Sequence, residues 1–272
     1  MKITSFHIRD ASTTEVPVVV SIPHTGIYVP DSIRAEFASS YIRSLPMTDW
    51  YLHHLYDFLP SMGITTIYGT YSRFVADINR PPDDKPLYPG RYETGFVALK
   101  TFWGEDIYHK PPGQEEIRQR RDLVHAPYHA RLLELLQSRI TRFGGVVLID
   151  GHSVASRANL LHGPLTHDIY LGDRDGKTNS GWLTAAVEKG FRQSGLSVAR
   201  NNPYKGGYIT EHYGSMPRVA ALQVEMRWGL YLDEMYPDRT PTHARFNAFK
   251  SVLSDVFTRL LAVIQERRGV SK

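Results

Sequence analysis

The chain has 272 residues, 42% hydrophobic and 22% charged, with 32 Lys+Arg against 28 Asp+Glu, a formal net charge of +4, 12 histidines and no cysteine. Such a length buries a sizeable core and excludes a largely disordered chain, while the missing cysteines exclude disulfide frameworks, thiol nucleophiles and Cys-ligated zinc or iron–sulfur centres. The charge excess is small and forms no basic stripe interleaved with aromatics, which argues against nucleic acid as a partner, and no run reaches the about 18 apolar residues of a membrane span.

Val16 to Ile22 is a β-branched run closed by Pro23 and reads as a buried strand. Asp31 to Arg43 follows Pro30 and reads as helical. Thr48 is placed to cap a helix carrying Tyr51, Leu55, Phe58, Leu59 and Met62 on one face, with Gly63 as its end and Pro60 in its last turn. Ile64 to Tyr68 and Phe74 to Ile78 read as strands. The proline-rich stretch from Arg80 to Gly113 reads as a long excursion, a class of loop that is usually functional. Gln114 to Phe143 has helical periodicity, with Pro127 expected to break or kink it.

Gly144 and Gly145 lead into Val146 to Asp150, the clearest buried strand. Asp168 to Leu171, Leu196 to Ala199 and Val219 to Val224 are further strands, with a helix from about Ser180 to Gln193 among them and a closing helix from about Thr242 to Arg267. This alternation predicts an α/β fold, a central mixed, largely parallel sheet with helices on both faces. No linker divides the chain, so one domain over residues 1–272 is expected.

Three polar clusters stand where predicted strands end: Pro23-His24-Thr25-Gly26, Asp150-Gly151-His152-Ser153 and Gln223-Val224-Glu225-Met226. Ligands of open α/β sheets bind beyond the carboxyl ends of strands, so the three clusters can converge on one crevice. Singly, His24 also reads as a turn residue, His152 as a core histidine and Glu225 as a surface acid. Two histidines and a carboxylate make a zinc site with an open fourth position for water. His24 and His152 supply the nitrogens. Asp49 is a candidate third ligand, although an acid in the first turn of a helix is also favoured by the helix dipole. Asp150, two residues before His152, is expected on the opposite side of the extended chain, pointing away from His152, and to act from outside the ligand set rather than as a ligand.

The segments PHTG, TDW, SRFVADINR, the Pro-Tyr-His within Ala126 to His129, DGHS, NNPYKGGYI and ALQVEM span Val18 to Tyr231. Their order resembles the N-formylglutamate amidohydrolase family. The resemblance implies a fold akin to zinc carboxypeptidases and aspartoacylases. It also implies hydrolysis of N-formyl-L-glutamate to formate and glutamate in histidine breakdown, with His24, Asp49 and His152 holding one divalent metal, zinc being expected, and Glu225 as general base. Thr25 departs from the PHSG form expected there.

Arginine forks suit the two substrate carboxylates. Asn79-Arg80 resembles the Asn-Arg pair that binds the substrate carboxylate in zinc carboxypeptidases, which makes Arg80 the first choice, against an ion pair with Asp77 or Asp83. Arg73 is a further candidate, Lys205 beside Gly206 and Gly207 reads as a substrate loop or a plain turn, and Arg157 and Arg218 stand in reserve. His125 and His129 have the i, i+4 spacing of a helical metal pair, but Pro127 lies between them and no HExxH frame exists, so a structural or supporting role is expected. The alternatives are a related zinc deacylase acting on another N-acyl amino acid, a serine hydrolase using Ser153, whose surroundings nearly spell G-x-S-x-G, or a non-catalytic carboxylate-binding protein. A small acidic substrate and a cytoplasmic setting are expected, since MKITSFHIRD lacks a secretory h-region; the oligomeric state stays open.

Overall fold

Short β-branched runs bounded by turn formers build the inner strands, which join in one seven-stranded sheet. The computed structural model describes residues 3–88, 90, 92–239 and 244–270, the last three by backbone alone. The strands are β1 (Phe6–Arg9), β2 (Val18–Ile22), β3 (Thr65–Gly69), β4 (Val146–Val154), β5 (Ile169–Gly172), β6 (Val198–Arg200) and β7 (Val219–Arg227), in the spatial order β1-β3-β2-β4-β7-β5-β6. β3, β2, β4 and β7 run parallel, whereas β1 and β5 pair antiparallel with β3 and β7, and β6 lies parallel to β5. The expected mixed, largely parallel sheet is therefore present. β1 is an addition that periodicity did not signal.

The helices are α1 (Asp31–Ala35), α2 (Ser40–Arg43), α3 (Leu52–Leu55), α4 (Gln114–Arg120), α5 (Ala126–Phe143), α6 (Trp182–Gln193), α7 (Tyr208–Gly214) and α8 (Ala244–Val270). α5 packs on β2 and β4, and α7 on β4 and β7, while α3 packs on β4 and α8, and α6 on β5, β6, β7 and α8. The central strands are buried between these helices: Val18, Val19, Leu148 and Leu222 are all fully covered. Each such side chain contributes roughly 1.5–3 kcal/mol of hydrophobic stabilisation.

Several expected elements take other forms. Phe74 to Ile78 is a buried turn, not a strand: the Ser72 hydroxyl accepts from Phe74 N, the Ser72 carbonyl from Val75 N, and Asp77 Oδ1 from Asn79 N at 2.9 Å. Ser and Asp offer the backbone local partners in place of a ladder, and the apolar alternation reported burial alone. The helix expected from Thr48 is reduced to α3 and a 3₁₀ turn over Leu59–Met62, because Tyr51 takes a left-handed φ of 57° that no α-helix accommodates. Asp49 thus sits in the turn before a helix rather than in its first turn.

Asp31 to Arg43 splits into α1 and α2 around Phe37, which bridges to Tyr108. Around Pro127 the expected helix is divided: a π-helical stretch over Arg121–His125 separates α4 from α5, and Pro127 falls in the first turn of α5, a position that proline tolerates. β4 and β7 run four and three residues past the predicted ends Asp150 and Val224, so the DGHS and QVEM clusters lie inside strands. α7 was not anticipated. The expected start of the last helix, Thr242, lies outside the described residues.

Candidate metal centre and substrate cavity

The parallel register of β4 and β7 sets His152 opposite Glu225 and Asp150 opposite Gln223. Strand alternation directs all four to one face. That face carries α5 and α7: Thr210 Oγ1 of α7 donates to Asp150 Oδ2 at 3.1 Å, and Asp150 shares its register with Ser21, which bonds Tyr128 of α5. Asp150 therefore does not point away from His152, as expected above, because residues two apart in a strand share a face. Its Oδ1 lies 3.1 Å from His152 Nε2, and it supports His152 from there.

β2 is followed by Pro23-His24, and the His24 carbonyl accepts from Asp49 N at 3.0 Å, which ties the turn carrying Asp49 to the strand end. His24, Asp49 and His152 are each at most 3% exposed, and one ligand atom from each lies within 4.8 Å of the other two. Asp49 Oδ2 is 3.8 Å from His24 Nδ1 and 3.2 Å from His152 Nδ1. The far nitrogens face carboxylates, His24 Nε2 meeting Asp77 Oδ1 at 2.7 Å and His152 Nε2 meeting Asp150. This carboxylate–histidine pairing orients an imidazole for metal ligation. His24 Nδ1 is buried without a hydrogen-bond partner. An orphaned nitrogen beside a second imidazole and a carboxylate fits a divalent ion with N and O donors.

The charges point the same way. Burial disfavours the His152 cation, yet Asp150 and Asp49 raise its pKa well above the ordinary value. Burial also disfavours the Asp77 anion, but Arg73, 2.6 Å away, and His24 hold it well below the carboxylate range. His24 itself is lowered, first by burial and then by Arg73. Glu225 is pushed up to about 8, chiefly by burial and also by Asp49 and Asp150, against the pull of His152 and Arg73. Carboxylates crowded into a buried site thus raise a histidine and a carboxylic acid together, even with Arg73 close by.

A cavity of about 380 Å³ opens onto this cluster; His24, Asp49, His152, Glu225, Arg73, Asn79 and Arg80 all line it. The Arg80–Gly113 excursion, which forms no helix or strand among its described residues, supplies Tyr88, Tyr92, Glu93 and Phe102 to its wall. Arg80 pairs with neither Asp77 nor Asp83. Its Nε donates to the Thr94 carbonyl at 2.6 Å, Nη2 to Thr94 Oγ1 at 3.2 Å and Nη1 to the Asn79 carbonyl at 3.1 Å, so no carboxylate neutralises it directly. Arg73 is committed to Asp77.

Other candidates lie elsewhere. Lys205 does not line the cavity; its ammonium turns away to Asp175 at 2.7 Å, so the plain-turn reading applies to it. Arg157 stacks on Trp103, and Arg218 lines a separate groove at the opposite end of the sheet. Ser153 sits inside β4 rather than at a strand-to-helix elbow, and its hydroxyl accepts from Trp228 Nε1 at 3.2 Å. Asp77, Gln223 and Tyr204 were given no part in the site by the sequence: Asp77 stood as a rival partner for Arg80, Gln223 within a strand-end cluster and Tyr204 within NNPYKGGYI.

The model of the N-formylglutamate amidohydrolase family matches residues 16–232. The N-formylglutamate deformylase of Pseudomonas putida is 34% identical over 240 residues, covering 87% of this chain and 87% of that protein. The N-formylglutamate deformylase of Pseudomonas aeruginosa is 34% identical over 257 residues, covering 93% and 95% respectively. Among solved structures, N-formylglutamate amidohydrolase from Ralstonia eutropha JMP134 aligns with a TM-score of 0.81 at 29% identity, over 98% of this chain and 100% of that one. A gene product from Agrobacterium tumefaciens, at 20% identity and a TM-score of 0.72, shares the fold. A match over most of the chain, with relatives above 30% identity, establishes the conclusion that the chain belongs to the N-formylglutamate amidohydrolase family.

Proposed function

We propose that the protein hydrolyses N-formyl-L-glutamate to formate and L-glutamate, with His24, Asp49 and His152 holding one divalent ion, zinc by the match of two imidazoles and a carboxylate to its usual donors. The observation that carries this reading is the meeting of His24 Nδ1, His152 Nδ1 and Asp49 Oδ2 in a cavity also lined by Glu225 and Arg80. When bound, the ion supplies a Lewis acid for the formyl oxygen and lowers the pKa of water toward neutrality.

The chain's own groups do the remaining work. Glu225 takes a proton from the attacking water as its oxygen bonds to the formyl carbon, and returns it to the nitrogen as the C–N bond breaks, so that glutamate leaves as the amine. Gln223 Nε2 donates to Glu225 Oε1 at 3.0 Å and fixes the base in place. With its pKa near 8 in the metal-free site, Glu225 becomes a carboxylate at neutral pH once positive charge enters beside it. Asp77 and Asp150 engage the two Nε2 atoms, which leaves both Nδ1 atoms beside Asp49 Oδ2, where the three residues would hold the ion. Arg80, free of any carboxylate, binds a substrate carboxylate, and Arg73 adds positive charge on the Asp77 side. No described helix is long and apolar enough to cross a membrane; a cytoplasmic enzyme of histidine breakdown is the setting we assign.

Elemental analysis of purified protein alongside formate release tests the reading. One equivalent of metal and activity abolished by chelation are expected; full deformylase activity in metal-free protein would falsify it.

A further inference from the structure

Asn79 and Arg80 stand on a segment with no strand partner. Asp77 to Arg80 is buried or half-buried, yet it belongs to no sheet, so its carbonyls need donors from elsewhere. Two histidines provide them: His129 Nε2 lies 2.8 Å from the Ile78 carbonyl and His125 Nε2 3.0 Å from the Arg80 carbonyl. The carbonyl between, of Asn79, accepts from Arg80 Nη1 and from Tyr208 N. The imidazoles stack at 4.1 Å between centroids, 28° apart, and His129 also stacks on Tyr213, whose hydroxyl lies 2.9 Å from His129 Nδ1. Burial lowers the pKa of both, His125 to about 4 and His129 well below its ordinary value. At neutral pH each ring thus has one N–H, and a carbonyl accepts only from the nitrogen that carries it.

We propose that His125 and His129 are positioning residues that clamp the Ile78–Arg80 backbone, aim the Arg80 guanidinium at the substrate carboxylate and hold the Asn79 amide against His152 and Asp150. The clamp rests on the assignment of Arg80 made above. Three consecutive carbonyls are held from α5, from the π-helical stretch before it, from α7 and by Arg80 itself. On the far side, Asn79 Oδ1 accepts from Ile209 N at 2.8 Å, while its Nδ2 lies 3.0 Å from His152 Nε2. The i, i+4 spacing that resembles a metal pair thus serves a backbone. Each Nε2 is spent on a separate carbonyl, and the ligand cluster found among the described residues does not include either ring.

The test is a mutant cycle on the zinc-loaded full chain with formylglutamate as substrate. His125→Leu and His129→Leu each remove a donor and are expected to raise KM about 10-fold while kcat falls less than about 3-fold and metal content stays at one equivalent. In an Arg80→Leu background the same changes are expected to move KM less than about 2-fold, because the group through which they act is gone. Additive effects of the His and Arg80 changes overturn the clamp, as does an unchanged KM in both single variants. The assignment of Arg80 fails separately, through an unchanged KM in Arg80→Leu alone. Should the leucine variants not fold, His125→Gln and His129→Gln keep an N–H donor. Near-normal KM in these with a raised KM in Tyr213→Phe supports the clamp, and near-normal KM in all three overturns it.

Discussion

Glu225, the proposed general base, is a buried side chain whose protonation also bears on stability. Its carboxyl, ordinarily near 4.5, stands at about 8 in the folded metal-free chain because it is buried beside Asp49 and Asp150. The folded state therefore keeps a proton that the unfolded state releases between about pH 4.5 and 8, and folding loses stability as pH rises through that window. Metal-free Glu225→Gln has no such loss. It is expected to gain on metal-free wild type from pH 5 to 8, reaching roughly 2–4 kcal/mol, as urea denaturation at several pH values would show; a pH-independent difference would exclude the effect. In the loaded enzyme the same substitution is expected to retain one equivalent of metal and to lower kcat by about 10²–10⁴-fold, read by formate release with elemental analysis in parallel. His24→Ala is expected to have the opposite signature, with loss of the metal and of activity together.

Among the elements, α7 shows how a close approach places the residues around the cavity. Gly207 precedes its first turn with its N–H on Gln223 Oε1 at 2.6 Å, and a Cβ there would lie 2.5 Å from Asn79 Nδ2. Only glycine lets the loop lie against Asn79 and Gln223 together. Gly207→Ala is expected to cost about 1–3 kcal/mol of stability and to weaken substrate binding by shifting Asn79-Arg80, checked by denaturation and KM; a wild-type KM would show that the segment tolerates the shift. β4, β7 and the amphipathic α5 were legible, because long apolar runs and a continuous 3.6 period leave little choice of element. The Phe74–Ile78 turn, Tyr51 and α7 were not. Each depends on a side-chain cap, a positive φ or a seven-residue helix too short to have its own period.

On the scale of the whole molecule, an ion held by His24, Asp49 and His152, as proposed, would be thermodynamically linked to the fold, since these residues come from the turn after β2, the turn after α2 and β4. A metal that binds only when these are assembled stabilises the folded state by about 2.7 kcal/mol at a free concentration 100 times its Kd. Zinc is therefore expected to raise the melting temperature of the wild type but not of His24→Ala, measured by calorimetry before and after chelation. An equal rise in both would mean that the ion binds elsewhere.

The ordered polar clusters, the absence of cysteine and the strand-helix alternation were properties of the chain itself; they pointed to the class of fold and to His24 and His152 as candidate ligands, whereas the choice of Asp49 and the role given to Glu225 came from the resemblance to the family. Tertiary structure alone decided that Asp150 shares a face with His152, that Asp77 stands behind His24, that Arg80 escapes ion pairing while Lys205 turns outward, and that His125 and His129 grip a backbone. The physical reason is that residue type and local periodicity are written along the chain, whereas a side chain's partner and charge environment are set by register between strands and by turns that bring distant residues within 3 Å.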